Sequence, residues 1–320
     1  MSLKNKYGLL LFIFIISILS GICLGTKNFG IPGFFSLSGI DRLILFEIRI
    51  PRVLAGFIVG AGLSVAGSVL QAILRNPLAE SYTLGISGGA SLGICMGVLL
   101  GKFEVIPYFA FMGSIASILV ILAVSSKKRF SNTTLILLGV ALNFLFSSLV
   151  LFIMAVVKND KFQSTLLWLI GDISYFPAKI LMPSIIIISL ISAYISFSGR
   201  IYDILSMGDE KAVSMGIDTY REKRSAFLLC CIIVGFCVSL SGIIGFVGLI
   251  IPHVSRFFFG STHRKNLPAS FIAGGSFLVL ADTLARTLIK PVEIPVGVIT
   301  GFFGGLFFIA MLLRSKQREI

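Results

Sequence analysis

The chain has 320 residues, 56% of them hydrophobic and only 13% charged, with a mean hydropathy of +1.02, a balance that excludes an ordinary soluble domain. Its net charge of +13 does not call for nucleic acid, because much of it falls in loops on one side of the apolar stretches, where anionic lipid headgroups attract it. Strict apolar–polar alternation is absent, which disfavours an outer-membrane barrel and leaves an all-α integral membrane protein as the expected class.

A helix needs about 20 apolar residues to cross a bilayer, and ten stretches qualify: residues 7–25, 53–73, 83–101, 105–124, 134–157, 180–199, 225–241, 243–259, 268–287 and 295–313. With both termini in the cytoplasm, the inner segments hold 17 of the 27 Lys and Arg, the bias expected of a multi-pass protein of the cell membrane with an even number of spans. The first stretch follows Lys4 and Lys6 in the manner of a secretory signal, but it is long for one and no small-x-small site stands near Gly25, so it is read as a span.

Before the second stretch, FEIRIPR places Arg49 and Arg52 three apart around Pro51, a spacing that turns both guanidinium groups the same way on a helix or turn. Arg286 closes the ninth stretch four residues after Asp282. Three fixed, outward arginines suit bidentate binding of carboxylates on an external partner; anchors snorkelling to the lipid interface are the competing reading. Glycine clusters at Gly56, Gly60, Gly62 and Gly67, then at Gly85, Gly88, Gly89, Gly93 and Gly97, marking helices that approach closely. RNPLAESYTLGISGGAS and RKNLPASFIAGGS echo one another faintly, a hint of duplicated hairpins. The outer linker from Lys158 to Lys179 carries the only tryptophan, Trp168, and a short interfacial helix is expected there.

The longest polar linker, Gly199 to Arg224, lies inside. Within it Ala212, Val213, Met215 and Gly216 alternate with Asp209, Glu210, Lys211 and Asp218, and Gly208 and Gly216 bracket about two helical turns. So short a helix is marginal alone, and docking in a partner's groove would hold it; a solvated loop is the alternative. The next oddity is GIIGFVGLIIPHVSRFFFG, Gly242 to Gly260. Pro252 should disturb this span, because it lacks an amide hydrogen, and His253 and Arg256 follow near its inner end, where ionisable groups mark a pathway or a packed joint.

Chemistry-bearing motifs are otherwise missing. No G-x-x-x-x-G-K-[ST] or H-E-x-x-H occurs, so any ATP must be bound by another chain. The five cysteines lie in apolar stretches without metal-ligand spacing and read as small buried hydrophobes, and His253 and His263 do not read as a metal site.

Five ordered segments, RIPRVLAGFIVGAGLSVAGSVLQAILRNPLAESYTLGISGGA, LLWLIGDIS, MGDEKAVSMGID, SGIIGFVGLIIPHVSRFFFGSTHRKNLPAS and ADTLAR with EIPVGVITGFFGG, together resemble the FecCD family, permeases of ABC importers for iron-siderophores, haem and cobalamin. The resemblance implies one transmembrane permease domain over residues 1–320, a cobalamin-permease-like bundle of ten helices. It implies pairing with a second copy or paralogue, two ATPase subunits that bind ATP and Mg, and an extracellular substrate-binding protein. Within the cytoplasmic segment 200–224, it assigns Met207, Gly208, Asp209, Glu210, Ala212, Met215 and Gly216 to ATPase coupling. It gives Arg49, Arg52 and Arg286 to binding-protein docking and Asn132 and Thr133 to a cytoplasmic gate, with Asn132 where a small hydroxyl is familiar. Pro252, His253 and Arg256 would form the broken inner end of the eighth helix. The implied cargo is a metal chelate, an iron-siderophore first, then haem or cobalamin. An ion-coupled secondary transporter would instead want acids near the bilayer midplane, where none of the 14 Asp and Glu clearly falls; an intramembrane enzyme would want a paired catalytic constellation.

Overall fold

The computed structural model describes residues 3–29, 39–101, 103–125, 132–156, 165–166, 168–173 and 178–316, and every regular element among them is helical. The helices are α1 (Leu3–Cys23), α2 (Gly39–Leu43), α3 (Ile50–Leu74), α4 (Ile86–Leu99), α5 (Ile106–Ser125), α6 (Asn132–Val156), α7 (Ala178–Phe197), α8 (Gly199–Ser206), α9 (Asp209–Ser214), α10 (Thr219–Ser241), α11 (Val247–Phe259), α12 (His263–Thr287) and α13 (Val296–Lys316). Among the described residues, seven helical stretches are long and apolar enough to cross a membrane, and three apolar helices, α4, α11 and much of α13, are shorter. All ten expected stretches are therefore largely helical, in a multi-pass membrane protein.

α3 is the axis of the bundle: 89% of its most apolar window is buried, against 17% in α1 and in α6. Lipid is as apolar as leucine, so such a helix is held by close backbone approach rather than by hydrophobicity. A Cβ on Gly60 would run into the Gly274 carbonyl of α12, and one on Gly67 into Gly248 of α11. On α4, Gly89 meets Gly113 and Gly93 meets Phe109 of α5 in the same way. The glycine clusters are thus contact faces, as the sequence reading expects. Four of the five cysteines are buried and all are free; Cys230 and Cys237 donate weakly to the carbonyls of Ala66 and Val59.

The two echoing segments do not fold alike. Arg75 ends α3 in a left-handed conformation and Asn76–Pro77 follow in a linker, whereas Asn266 and Pro268 lie inside α12. In the linker where a short helix is expected, residues 165–166 and 168–170 are helical, and Trp168 is 8% exposed, inside the core.

Candidate functional site

Two clusters of polar groups sit at opposite ends of α3. At its first end a wide π turn, Ile44–Arg49, runs directly into Pro51 near the start of α3, the kind of widening that relieves a ring with no amide to donate. Arg49, Arg52 and Arg286 gather there, but they do not face outward. Their exposures are 4%, 7% and 3%. Arg52 grips Asp282 with Nε and a terminal nitrogen at 2.9–3.2 Å and reaches Glu293 at 2.6 Å. Arg286 lies 3.0 Å from the second oxygen of Asp282.

The remaining donors close the end of α1. Its last carbonyls lack intrahelical partners: Arg49 donates to Ile22 and Cys23 at 3.0 and 3.4 Å, and Arg286 to Gly21 and Leu24 at 3.2 and 3.4 Å. Cations at a helix C-terminus also meet the negative end of its dipole. The expectation of free, outward guanidinium groups is therefore corrected: the spacing is right, but a buried arginine must be paired, and acceptors distant in sequence take all three.

At the opposite end the structure corrects the reading of Pro252. α11 runs unbroken through it; the interruption lies earlier, from Gly242 to Phe246, both at positive φ. The linker around Trp168 is stitched into that gap, since Asp172 donates to the Ser241 carbonyl at 2.8 Å and Gly297 to that of Gly171 at 3.1 Å. Pro252 leaves the Gly248 carbonyl without its usual i+4 donor. The Gln71 amide of α3 supplies one at 3.2 Å, and its oxygen accepts from Arg256 at 2.6 Å. Proline, glutamine and arginine thus form a packed joint between α3 and α11. His253 is not part of it and packs edge-on against Phe307.

Beyond α3, Asn132 opens α6 and donates to the Leu74 carbonyl at 3.1 Å, while its oxygen accepts from Lys223 at 3.0 Å. Thr133 is exposed beside it; the residues just before, 126–131, lie outside the described ones. A small hydroxyl could not span both partners, which gives the asparagine a physical reason. Gln71 and Lys223 carry no motif of their own, and only the loss of an amide at Pro252 hinted that such a partner was needed.

The polar segment 200–224 splits into α8, α9 and the start of α10, so the expected helix is shorter, six residues. Gly208, at φ +118°, precedes it and Gly216, at φ +80°, follows it. Ala212 is fully buried and ties α9 down, while Met207, Val213 and Met215 are 60%, 60% and 61% exposed. Glu210 is exposed and Asp209 pairs with Lys223 at 2.7 Å. In the linker after α3, Glu80 is 8% exposed; burial pushes its carboxyl up to about 7, offset in part by a hydrogen bond with the Phe246 backbone. With Asp282 2% exposed, two acids are buried that the sequence reading did not place inside.

Comparison with known proteins agrees with this geometry. The model of the FecCD transport family matches residues 9–314. The vitamin B12 import system permease BtuC of Vibrio vulnificus is 33% identical, over 97% of this chain and 94% of its own. The iron(3+)-hydroxamate import system permease FhuG of Bacillus subtilis is 32% identical, over 86% and 85%. Among solved structures, a chain of an inward-facing metal-chelate-type ABC transporter superposes with a TM-score of 0.89 at 27% identity, covering 97% of this chain and 99% of that one. A family match over nearly the whole length, on a helical bundle with a short polar helix at one end of its central helix, means that the chain belongs to the FecCD transport family.

Proposed function

We propose that this chain is the permease subunit of an ATP-driven importer for a metal chelate. It pairs with a second copy or a paralogue, receives cargo from an extracellular substrate-binding protein, and is driven by two ATPase subunits that hold the ATP and Mg. Both termini face the cytoplasm, and the protein itself is no enzyme. One observation carries the coupling: on α9 and its flanks Met207, Val213 and Met215 stand out from a helix whose Ala212 is buried, an apolar surface at the polar end of the chain with the character of helix-in-groove docking. Gly208, Asp209, Glu210 and Gly216 shape and orient that surface. Asn132 and Thr133 stand at the cytoplasmic gate.

Arg49, Arg52 and Arg286 enter this reading as a brace behind the docking surface for the binding protein. Pro252 and Arg256, joined through Gln71, hold α11 to α3 so that the inner half of the bundle moves together. An iron-siderophore is the first choice of cargo, on the breadth of the family and the iron-hydroxamate relative; haem and cobalamin come next.

Uptake into proteoliposomes tests this. The chain is co-expressed with the neighbouring ATPase and binding protein and offered ferric hydroxamate, haemin and cobalamin. Uptake of ferric hydroxamate that stops when ATP is withdrawn is the expected result. Uptake that needs only an ion gradient would support a secondary transporter and overturn the proposal; ATP-driven uptake of haemin or cobalamin would correct the cargo alone.

A further inference from the structure

We propose that Lys223 is the positioning residue that passes movement of α9 to the start of α6, a role that rests on the ATP-driven permease reading above. Lys223 lies in the second turn of α10, which Asp218 caps through the Arg221 amide at 3.0 Å. Its Nζ sits 2.7 and 2.8 Å from the two oxygens of Asp209 and donates to Asn132 at 3.0 Å. Asn132 in turn holds the Leu74 carbonyl at the end of α3. One ammonium therefore joins the short cytoplasmic helix, the gate helix and the bundle axis.

Exposure gives this link a direction. Lys223 is 3% exposed and Asp209 45%, so the anion rides on a surface helix while the cation is locked inside. A buried charge cannot be stranded cheaply. When α9 shifts, Lys223 must follow Asp209 or lose it, and either way its hold on Asn132 changes. Arg75 is no substitute: it lies 3.8 Å from Asp209 and is 44% exposed, a pair that solvent screens. Gly208 and Gly216, both at positive φ, flank α9 and let it tilt as a unit. A displacement shifts the gate only if the contacts differ between the two states, and this shared ammonium supplies such a difference.

The test measures chelate taken up per ATP hydrolysed by the reconstituted transporter, with ferric hydroxamate, haemin or cobalamin as probe, whichever the wild type imports. Lys223→Met is expected to cut that ratio roughly tenfold, within the range of an ordinary coupling free energy, while the ATPase stays bound and hydrolyses ATP. Lys223→Arg should restore most of it. Lys223→Met with Asn132→Ala should lose no more than Lys223→Met alone, because both break one link. If Lys223→Met does not assemble, Lys223→Gln, which keeps an amide donor, is held to the same ratio, and failure of both to assemble assigns Lys223 to folding and overturns the proposal. An unchanged ratio, or uptake and hydrolysis falling together, also overturns it. A wild type that imports no probe with ATP overturns the permease reading as well, which separates the two failures.

Discussion

The two ends of α3 carry similar polar residues in opposite physical states. At the first end Arg49, Arg52 and Arg286 are all buried and each has at least two partners; Asp282 alone serves Arg52 and Arg286. At the other, a single buried lysine holds a half-exposed aspartate, and Met207, Val213 and Met215, on and beside α9, are exposed. A dense, desolvated network resists displacement, because breaking it strands charge. A thin one, flanked by glycines, yields. One end of the bundle is a dense frame, and the other is held thinly enough to serve as the lever proposed above.

Substitutions that break this contrast should differ in size. The largest loss is expected from Asp282→Ala, which leaves Arg286 buried without its carboxylate and Arg52 with Glu293 alone; about 3–5 kcal/mol should go, seen as a steep drop in thermal stability and in folded yield. Next comes the Gln71 joint. Gln71→Leu strands the Gly248 carbonyl and the Arg256 guanidinium, for about 1–3 kcal/mol. Adding Pro252→Ala returns an amide to that carbonyl, so the double variant should regain part of the loss; no recovery would mean that Gln71 matters for another reason.

Glu80 gives a smaller effect that depends on pH. Its folded carboxyl is raised to about 7, above the unfolded value, so the folded state holds the proton more tightly. Stability contributed by that proton is present below the unfolded pKa, falls as pH rises through the interval, and is gone above about 7. Compared with Glu80→Gln, the wild type should lose melting temperature between about pH 5 and 8, and parallel curves would contradict the burial. Smallest of all on stability is the triple change Met207→Ser, Val213→Ser and Met215→Ser, expected within about 0.5 kcal/mol of wild type because these side chains touch so little.

Much of this was legible in the sequence and some was not. The apolar stretches predicted ten helices, seven of them long and apolar enough to cross a membrane, because length and hydropathy decide whether a helix can sit in lipid. The glycine runs predicted contact faces, since at Gly67 and Gly60 nothing larger fits. The bracketing glycines found α9, though not its length. What failed depended on partners distant in the chain. Arg52 meets Asp282 and Arg256 meets Gln71 across 230 and 185 positions, and no local spacing reports such pairs. Pro252 does remove an amide, as the sequence implies, but a side chain from α3 meets the freed carbonyl and the helix continues.

The most direct measurement is whether a P-loop ATPase co-purifies with the chain and with the Met207→Ser, Val213→Ser, Met215→Ser variant at equal thermal stability. The expected result is that the wild type retains the ATPase and the variant loses it, with ATP-driven uptake lost alongside. A variant that keeps the ATPase and imports at the wild-type rate would contradict the assignment of α9 as the lever.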